Sequence, residues 1–377
     1  MHITFFSVWM TVLWSSILVL IYYVLRTKYE LIDICSVSGV IVLYLFCMMR
    51  MVIPVEFSWT KVLFGGTLYN KIYYFFCIER NIGNDISVFD MLRFIWYLGA
   101  FLILLHYVIQ YVKVARYFGD MPVQRNSKAA QIADEIWNGT KKPDILQTAA
   151  VKTPCCFGIL RKKIIIPDKL YTEEQLRFIL LHECSHLKNN DILVKNLINI
   201  LCAFYWWNPC VYLLKKDLNQ SLEIRCDLTA VKELDLQLKG DYLAVVLSEY
   251  KDSLKTGKSA GLRYDNPKLL LERFQMVAKE KRILVNKGNF LAWIISGCLL
   301  LLSYSFIFQT EYEAPKEDIE TEQDAYEVNT SNSYLIKSDD GTYFLHFQNK
   351  DIPVDEEGAQ KMIEDGFAVI VNSENKQ

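Results

Sequence analysis

Hydrophobic and polar positions alternate along this chain on two scales. On the longer scale, residues 3–25, 32–53, 94–112 and 290–308 are almost wholly apolar. At about 1.5 Å per residue, some twenty such residues cross a bilayer as a helix, so the pattern predicts four transmembrane helices. Pro54 stops the second run, and Asp33 at its other edge falls in the headgroup zone. The first run has no basic leader and no small-residue cleavage site, so it is expected to stay as an anchor. Arg26 and Lys28 follow the first run, Lys113 and Arg116 the third, and Lys279, Lys281, Arg282 and Lys287 precede the fourth. Basic flanks favour the cytoplasm, which puts the N-terminus outside, residues 115–289 inside and the C-terminal tail outside.

On the shorter scale, the segment between spans three and four reads as a folded domain. Gln147–Val151, Cys156–Leu160 and Lys163–Ile166 have strand character, punctuated by Gly158 and Pro167. Thr172-Glu173-Glu174-Gln175 fits a capping box, opening a helix whose Leu176, Ile179, Leu180 and Leu187 form an apolar stripe. Asn189-Asn190-Asp191 ends that helix. Ile192–Leu214 is apolar enough to pass for a fifth span, but Lys195, Asn196, Asn199, Asn208 and Pro209 interrupt it. A helix buried in the domain core or lying in the interface is expected there, with Trp206 and Trp207 at headgroup level. Residues 55–90 carry no assignable pattern. In the tail, an acidic linker at 309–332 precedes two strands around Asp339-Asp340-Gly341, a helix over 356–365 and a last strand over 367–371.

Composition sharpens this picture. A chain of 377 residues that is 52% hydrophobic and 14% aromatic is too apolar for an ordinary soluble enzyme. The net charge of −2 conceals an asymmetry, since 17 acidic residues face 5 basic ones from Gln309 onward. Opposite charge balances fit different compartments. Nine of the ten cysteines fall in apolar or central segments, Cys77 stands alone in a loop and the tail has none, which suits free thiols in a reducing compartment. Gly257-Lys258-Ser259 and Lys255-Thr256-Gly257 resemble pieces of phosphate-loop and beta-lactamase motifs, but each lacks its partner residues.

The chemistry concentrates in His182-Glu183-Cys184-Ser185-His186. Two imidazoles four residues apart share one helical face, so both can hold one zinc ion while Glu183 serves as general base towards the attacking water. A third ligand is expected from another helix. Glu223-Ile224-Arg225-Cys226-Asp227 offers Glu223 to the metal and Asp227, one turn on, to orient a ligating imidazole. Asp191 is read as a turn residue in preference to an imidazole partner, and the adjacent Cys155-Cys156 as a poor metal pair.

Taken together, Thr153-Pro154-Cys155-Cys156-Phe157-Gly158-Ile159-Leu160, Ile164-Ile165-Ile166-Pro167, the His182–His186 motif, Asn208-Pro209 and Glu223–Asp227 resemble the BlaR/MecR-type antirepressor membrane metallopeptidases. The resemblance covers roughly the first 300 residues. It implies an α+β membrane protein: three transmembrane helices in 1–114, a cytoplasmic gluzincin-like zinc peptidase in 115–289, a fourth helix at 290–308, the linker at 309–332 and a small α+β extracytoplasmic module at 333–377. It implies Zn²⁺ on His182, His186 and Glu223, and a protease that cleaves a cytoplasmic transcriptional repressor, or itself, after an external cue. The lipid bilayer and a protein substrate are the implied partners; no direct nucleic-acid contact is expected and a homodimer stays open. About 69 residues follow the fourth span, and Ser373-Glu374-Asn375-Lys376 has no companion motifs, so a penicillin-binding sensor is not expected. The rival expectation is a membrane sensor or scaffold whose zinc domain cleaves nothing.

Overall fold

The computed structural model describes residues 5–29, 31–77, 79–80, 86–139, 141–255, 267–278, 288–310, 330, 333–338, 341–347 and 350–371. They form two compact units, Met1–Thr310 and Glu311–Gln377.

In the first unit, α1 (Phe5–Tyr29), α2 (Leu31–Val52) and α4 (Val88–Gly119) realise the first three apolar runs. Phe6–Thr27 and Val88–Gly119 are long and apolar enough to cross a membrane, and Ser36–Val52 is a shorter apolar helix beyond the backbone break at Ser36. Between α2 and α4 lie β1 (Lys61–Phe64), α3 (Thr67–Cys77) and the β2–β3 ribbon (Glu79–Arg80, Ile86–Ser87), so residues 55–90 have structure that their mixed composition hides.

The fourth apolar run differs from expectation. Helix α11 (Gly288–Leu302) stops short of residue 308, and Phe306–Gln309 is β7, which pairs in parallel with β1. The cause is tertiary: Arg50 of α2 donates to the Ser303 hydroxyl at 3.0 Å and to its carbonyl at 3.2 Å, while Lys61 N donates to Ser305 O at 2.8 Å. Helix and strand therefore share one apolar run, which hydropathy alone cannot divide.

The domain between α4 and α11 opens with α5 (Lys128–Ile136) and the sheet β4 (Asp144–Thr148), β5 (Cys155–Phe157) and β6 (Lys163–Pro167). The sheet order is β4-β6-β5, parallel between β4 and β6 and antiparallel between β6 and β5. Ile164, Ile165 and Ile166 thus lie on the central strand, and β5 is the edge. A strand with neighbours on both sides reads as a continuous apolar run, as Ile164–Ile166 does.

Helix α6 (Glu173–Lys188) carries the paired histidines. Its capping box is formed: Thr172 Oγ1 accepts from Gln175 N at 3.2 Å, and Gln175 Oε1 accepts from Thr172 N at 3.0 Å. Leu180 and Leu187, both buried, lock it onto Ile164 and α5, each contributing about 1.5–3 kcal/mol. Asn190 adopts a left-handed conformation, φ 56° and ψ 35°, which Asn tolerates well and which turns the chain into α7 (Asp191–Phe204).

Residues 192–214 do not form one continuous helix. Instead, α7 and α8 (Pro209–Ala230) form a hairpin, with the Asn208 side chain capping α8 and Pro209 in its first turn. The hairpin turn lies beside α1, α2 and α4: Tyr205 Oη donates to Met51 O at 2.7 Å, Asn208 Nδ2 to Ser16 Oγ at 2.9 Å, and Trp96 Nε1 to Phe204 O at 2.5 Å. Val211, Leu214, Leu218 and Leu222 of α8, spaced three or four residues apart, bury against α1 and α2. The hairpin reverses the chain, so α8 brings Glu223 back beside the histidines. Helices α9 (Leu236–Lys255) and α10 (Pro267–Ala278) complete this unit.

The second unit is a four-stranded sheet, β10-β9-β8-β11, with one helix. Its strands are β8 (Ser333–Lys337), β9 (Tyr343–Phe347), β10 (Lys350–Val354) and β11 (Val369–Val371), and α12 spans Glu356–Glu364. The hairpin, the helix and the last strand agree with the sequence pattern. Strand β10 has no counterpart in that pattern, and Asp339, Asp340, the 257–259 motif and 373–376 lie outside the described residues.

Candidate metal centre

Helices α6 and α8 face each other and bring three donors together. His182 Nε2 lies 3.5 Å from one Glu223 oxygen, and His186 Nε2 lies 3.5 Å from the other. One donor atom from each of these three residues lies within 4.8 Å of the others, and the two imidazole planes stand at 83°. All three residues are buried or nearly so.

The other nitrogen of each ring is taken. His186 Nδ1 is 2.7 Å from Asp191 Oδ2, and His182 Nδ1 is 3.2 Å from Asp227 Oδ1 and 3.0 Å from Tyr242 Oη. A carboxylate accepting from Nδ1–H leaves the Nε2 lone pair free to face Glu223, the tautomer a zinc ligand needs. Two imidazoles and a carboxylate form a donor set suited to zinc, and this converging arrangement fits the ion. Asp227, one turn after Glu223 on α8, lies against the His182 ring. Asp191, at the turn into α7, is fully buried and contacts both His186 Nδ1 and Arg225, a pairing that the turn position alone does not reveal.

Several residues of the centre escape a reading of the sequence. Arg273 on α10 grips Asp227 with two hydrogen bonds of 2.6 and 2.7 Å, and Tyr242 on α9 donates to the same carboxylate at 2.6 Å. Both come from helices without a motif of their own. Lys195 on α7 donates to Glu223 at 3.0 Å, and Cys226 Sγ lies 3.2 Å from His186 Nδ1. Cys156 of the edge strand donates to the Glu183 carboxylate at 2.8 Å, which places β5 directly against the base. Unlike these, Asp191 has a local signal, an acid five residues past His186 in the first turn of the next helix.

Burial and charge compete here. Burial alone would favour neutral carboxyls, yet the Lys195 ammonium and the two imidazoles hold Glu223 well below the usual carboxylate range. Arg273 does the same for Asp227. Burial and the nearby Glu183 charge push the Cys156 thiol well up, so it stays an S–H donor. In the metal-free chain burial would lower the His182 value, but hydrogen bonds to Asp227 and Glu223 outweigh it and raise it to about 9.

His182 and Glu183 line a cleft together with Thr153 and Pro154 ahead of β5, Tyr242 and Val246 of α9, and Arg273. A peptide in this cleft would meet the general-base candidate beside the ligand set.

Comparison with known proteins agrees with this arrangement. Residues 79–277 match the family described as BlaR1 peptidase M56, a stretch that contains the whole centre. The chain is 28% identical to the regulatory protein BlaR1 of Bacillus licheniformis over 158 residues, 41% of this chain and 26% of that protein. It is 21% identical to the methicillin resistance mecR1 protein of Staphylococcus aureus over 300 residues, 71% of this chain and 48% of that protein. The chain thus spans less than half the length of these relatives. With more than half of its residues matched, and with the paired histidines and Glu223 inside the match, the chain belongs to the BlaR1 peptidase M56 family.

Proposed function

We propose that the protein is an integral-membrane zinc endopeptidase of regulatory type. Zinc is held by His182, His186 and Glu223, Glu183 is the general base, and Asp227 and Asp191 hold the two imidazoles in their ligating tautomers. The observation that carries this reading is the approach of both Nε2 atoms to Glu223 at 3.5 Å, with both Nδ1 atoms already engaged. When bound, zinc supplies Lewis acidity, polarising a scissile carbonyl and acidifying water. Glu183 takes the proton from the attacking water and passes it to the departing amine. Arg273 and Tyr242 keep Asp227 ionised and fixed. The substrate is an extended segment that adds to the edge strand β5, whose lead-in residues line the cleft.

In this reading α1, α2, α4 and α11 span the membrane, with the N-terminus and the tail outside and residues 115–289 in the cytoplasm. The α7–α8 hairpin enters among the spans from the cytoplasmic side, which keeps Glu223 and the histidines together. A cytoplasmic transcriptional repressor, or the protein itself, is the substrate, and an extracytoplasmic cue triggers the cut. The test is zinc content and cleavage in wild type and Glu183→Ala. The variant should keep its zinc and lose cleavage. Zinc retained with cleavage undiminished would favour the silent sensor or scaffold.

A further inference from the structure

The turn joining β5 to β6 stands over a second and larger depression, a groove of about 720 Å³ away from the metal centre. Its walls carry Lys141, Lys142, Arg161, Lys162 and Lys188, against the single carboxylate of Asp144. Lys142 is partly neutralised by Asp134 at 2.9 Å, so the groove keeps a clear positive excess. Lys162 and Lys188 lie over the Trp137 indole, 5.5 and 5.9 Å from it, and are held in place by the carbonyls of Leu187 and Ile136. At the same turn Leu160 is 90% exposed and Ile159 40%. Two exposed aliphatic side chains followed directly by Arg161 and Lys162 make an apolar tip with a basic collar.

The helix geometry gives the depth of this feature. The Phe204 carbonyl, at the end of α7, accepts from Trp96 near the start of the third apolar run. Trp96 meets the end of α7, whereas Phe118 near the end of α4 and Asn190 at the start of α7 both bind the β5–β6 hairpin, through Lys163 and Lys162, so the two helices run in opposite directions; thirteen residues back along α7, about 20 Å at 1.5 Å per residue, Asp191 is level with about Ile109 of α4. That is just short of Lys113, where the apolar run ends. The α6–α7 corner is the place Lys162 binds, through Leu187 O at 2.6 Å and Asn190 Oδ1 at 3.3 Å. The hairpin is also tied to α4 at this level: the Phe157 ring lies 5.2 Å from that of Tyr111, and Lys163 Nζ donates to Phe118 O at 2.7 Å.

We propose that this groove docks anionic phospholipid headgroups of the cytoplasmic leaflet, with Ile159 and Leu160 entering the acyl boundary. Basic residues at headgroup depth meet phosphate, and the aliphatic tip has a solvent it prefers to water. The contact would anchor β5, whose other end borders the metal cleft, to the membrane surface. The inference rests on the orientation proposed above and is independent of peptidase activity.

The test uses the full chain purified in detergent, with retained phosphatidylglycerol and phosphatidylcholine counted by native mass spectrometry. Wild type should retain the anionic lipid preferentially. Lys141→Gln and Arg161→Gln should each lower its retention about fivefold, the effect of one basic charge at an anionic surface, and leave phosphatidylcholine unchanged. Leu160→Ser should lower retention of both lipids, and zinc content identical to wild type shows that the variants are folded. Equal phosphatidylglycerol retention in wild type and both charge variants would overturn the proposal. Displacement of the lipid by soluble glycerol 3-phosphate at equal concentration would also overturn it, because the groove would then be a phosphate site. A reporter fused at the C-terminus reads the orientation separately, so failure there is distinguishable from failure of the groove.

Discussion

Arg26 and Asp217 are 191 positions apart in the chain, yet their side chains meet at 3.3 Å in a buried cluster. Arg26 ends the apolar part of α1, and Asp217 lies on α8, six residues before Glu223. Tyr44 of α2 donates to Asp217 at 3.1 Å, and Arg26 also reaches Glu272 of α10 at 2.8 Å, next to the Arg273 that grips Asp227. Two apolar helices are thereby joined to the helices that carry Glu223 and Arg273. Removing one member of a buried pair strands the other charge, at a cost of about 3–5 kcal/mol, whereas an apolar replacement of both is often neutral. Arg26→Ala should therefore lower the unfolding temperature in detergent and weaken cleavage. Arg26→Met combined with Asp217→Leu should recover the temperature. If cleavage recovers fully as well, the cluster is structural and does not position the centre.

The imidazole supports should differ in strength from the ligands themselves. Glu223→Ala removes a donor and should abolish zinc binding. Asp227→Ala, Asp191→Ala and Arg273→Ala should each weaken it by about 10 to 100-fold, because the rings stay but lose their orientation. Arg273→Lys should fall between Arg273→Ala and wild type, since an ammonium cannot reproduce the two parallel hydrogen bonds to Asp227. Competition with a chromophoric chelator measures all five. Zinc affinity of Glu223→Ala equal to that of wild type would end the ligand assignment.

Metal loading should depend on pH in a definite direction. In the metal-free chain the His182 value is raised to about 9 from 6.5 by Asp227 and Glu223 against the effect of burial. The charged imidazole thus stabilises the metal-free fold fully below 6.5, and that contribution fades as pH rises through about 9. Zinc needs the neutral ring, so its apparent affinity should climb across the same window and binding at pH 7 should release protons. Calorimetry in buffers of different ionisation enthalpy counts those protons. Proton release close to zero at pH 7 would mean that His182 is not displaced from its charged state by the metal.

Local signals made much of this architecture legible. The capping box at Thr172, the histidine pair and the acid pair Glu223 and Asp227 are each contained within one helix, so spacing alone places them. Helix α8 could be read as the supplier of the third ligand, but the hairpin that returns it could not. One face of Ile192–Leu214 is apolar because Ile198, Leu201, Val211 and Leu214 bury in the core, while Leu193, Leu197, Ile200 and Phe204 stay exposed, and hydropathy does not distinguish a hairpin of this kind from a crossing. Asp191 looked like a turn residue because its partner, His186, lies across a left-handed Asn190. Arg273, Tyr242 and Arg26 reach the centre only through tertiary packing and leave no spacing to detect. The division of 290–308 into helix and strand depends on Arg50, which is more than 250 residues away.

The tail is expected to act as an input to the peptidase. Residues 311–377 form a compact unit by themselves, with Leu335, Leu345 and Ala359 buried at its centre and Tyr343, Met362 and Phe367 packed around them. A nucleus this small is close to the minimum for independent stability, so the segment expressed alone should unfold cooperatively but at modest temperature. Leu335→Ala, at a fully buried position, should cost about 2–5 kcal/mol, comparable with the whole stability of such a module, and leave it unfolded. The acid-rich composition suits a module outside the membrane that meets a partner there. Truncation after Thr310 should then preserve zinc content, since every residue of the metal centre lies upstream, but alter how cleavage of a repressor encoded nearby responds to the cue. Fusing a reporter to the C-terminus fixes its side of the membrane in the same strain. Cue-responsive cleavage that persists unchanged in the truncation would dispose of the input role, and a cytoplasmic reporter would overturn the topology on which the role depends.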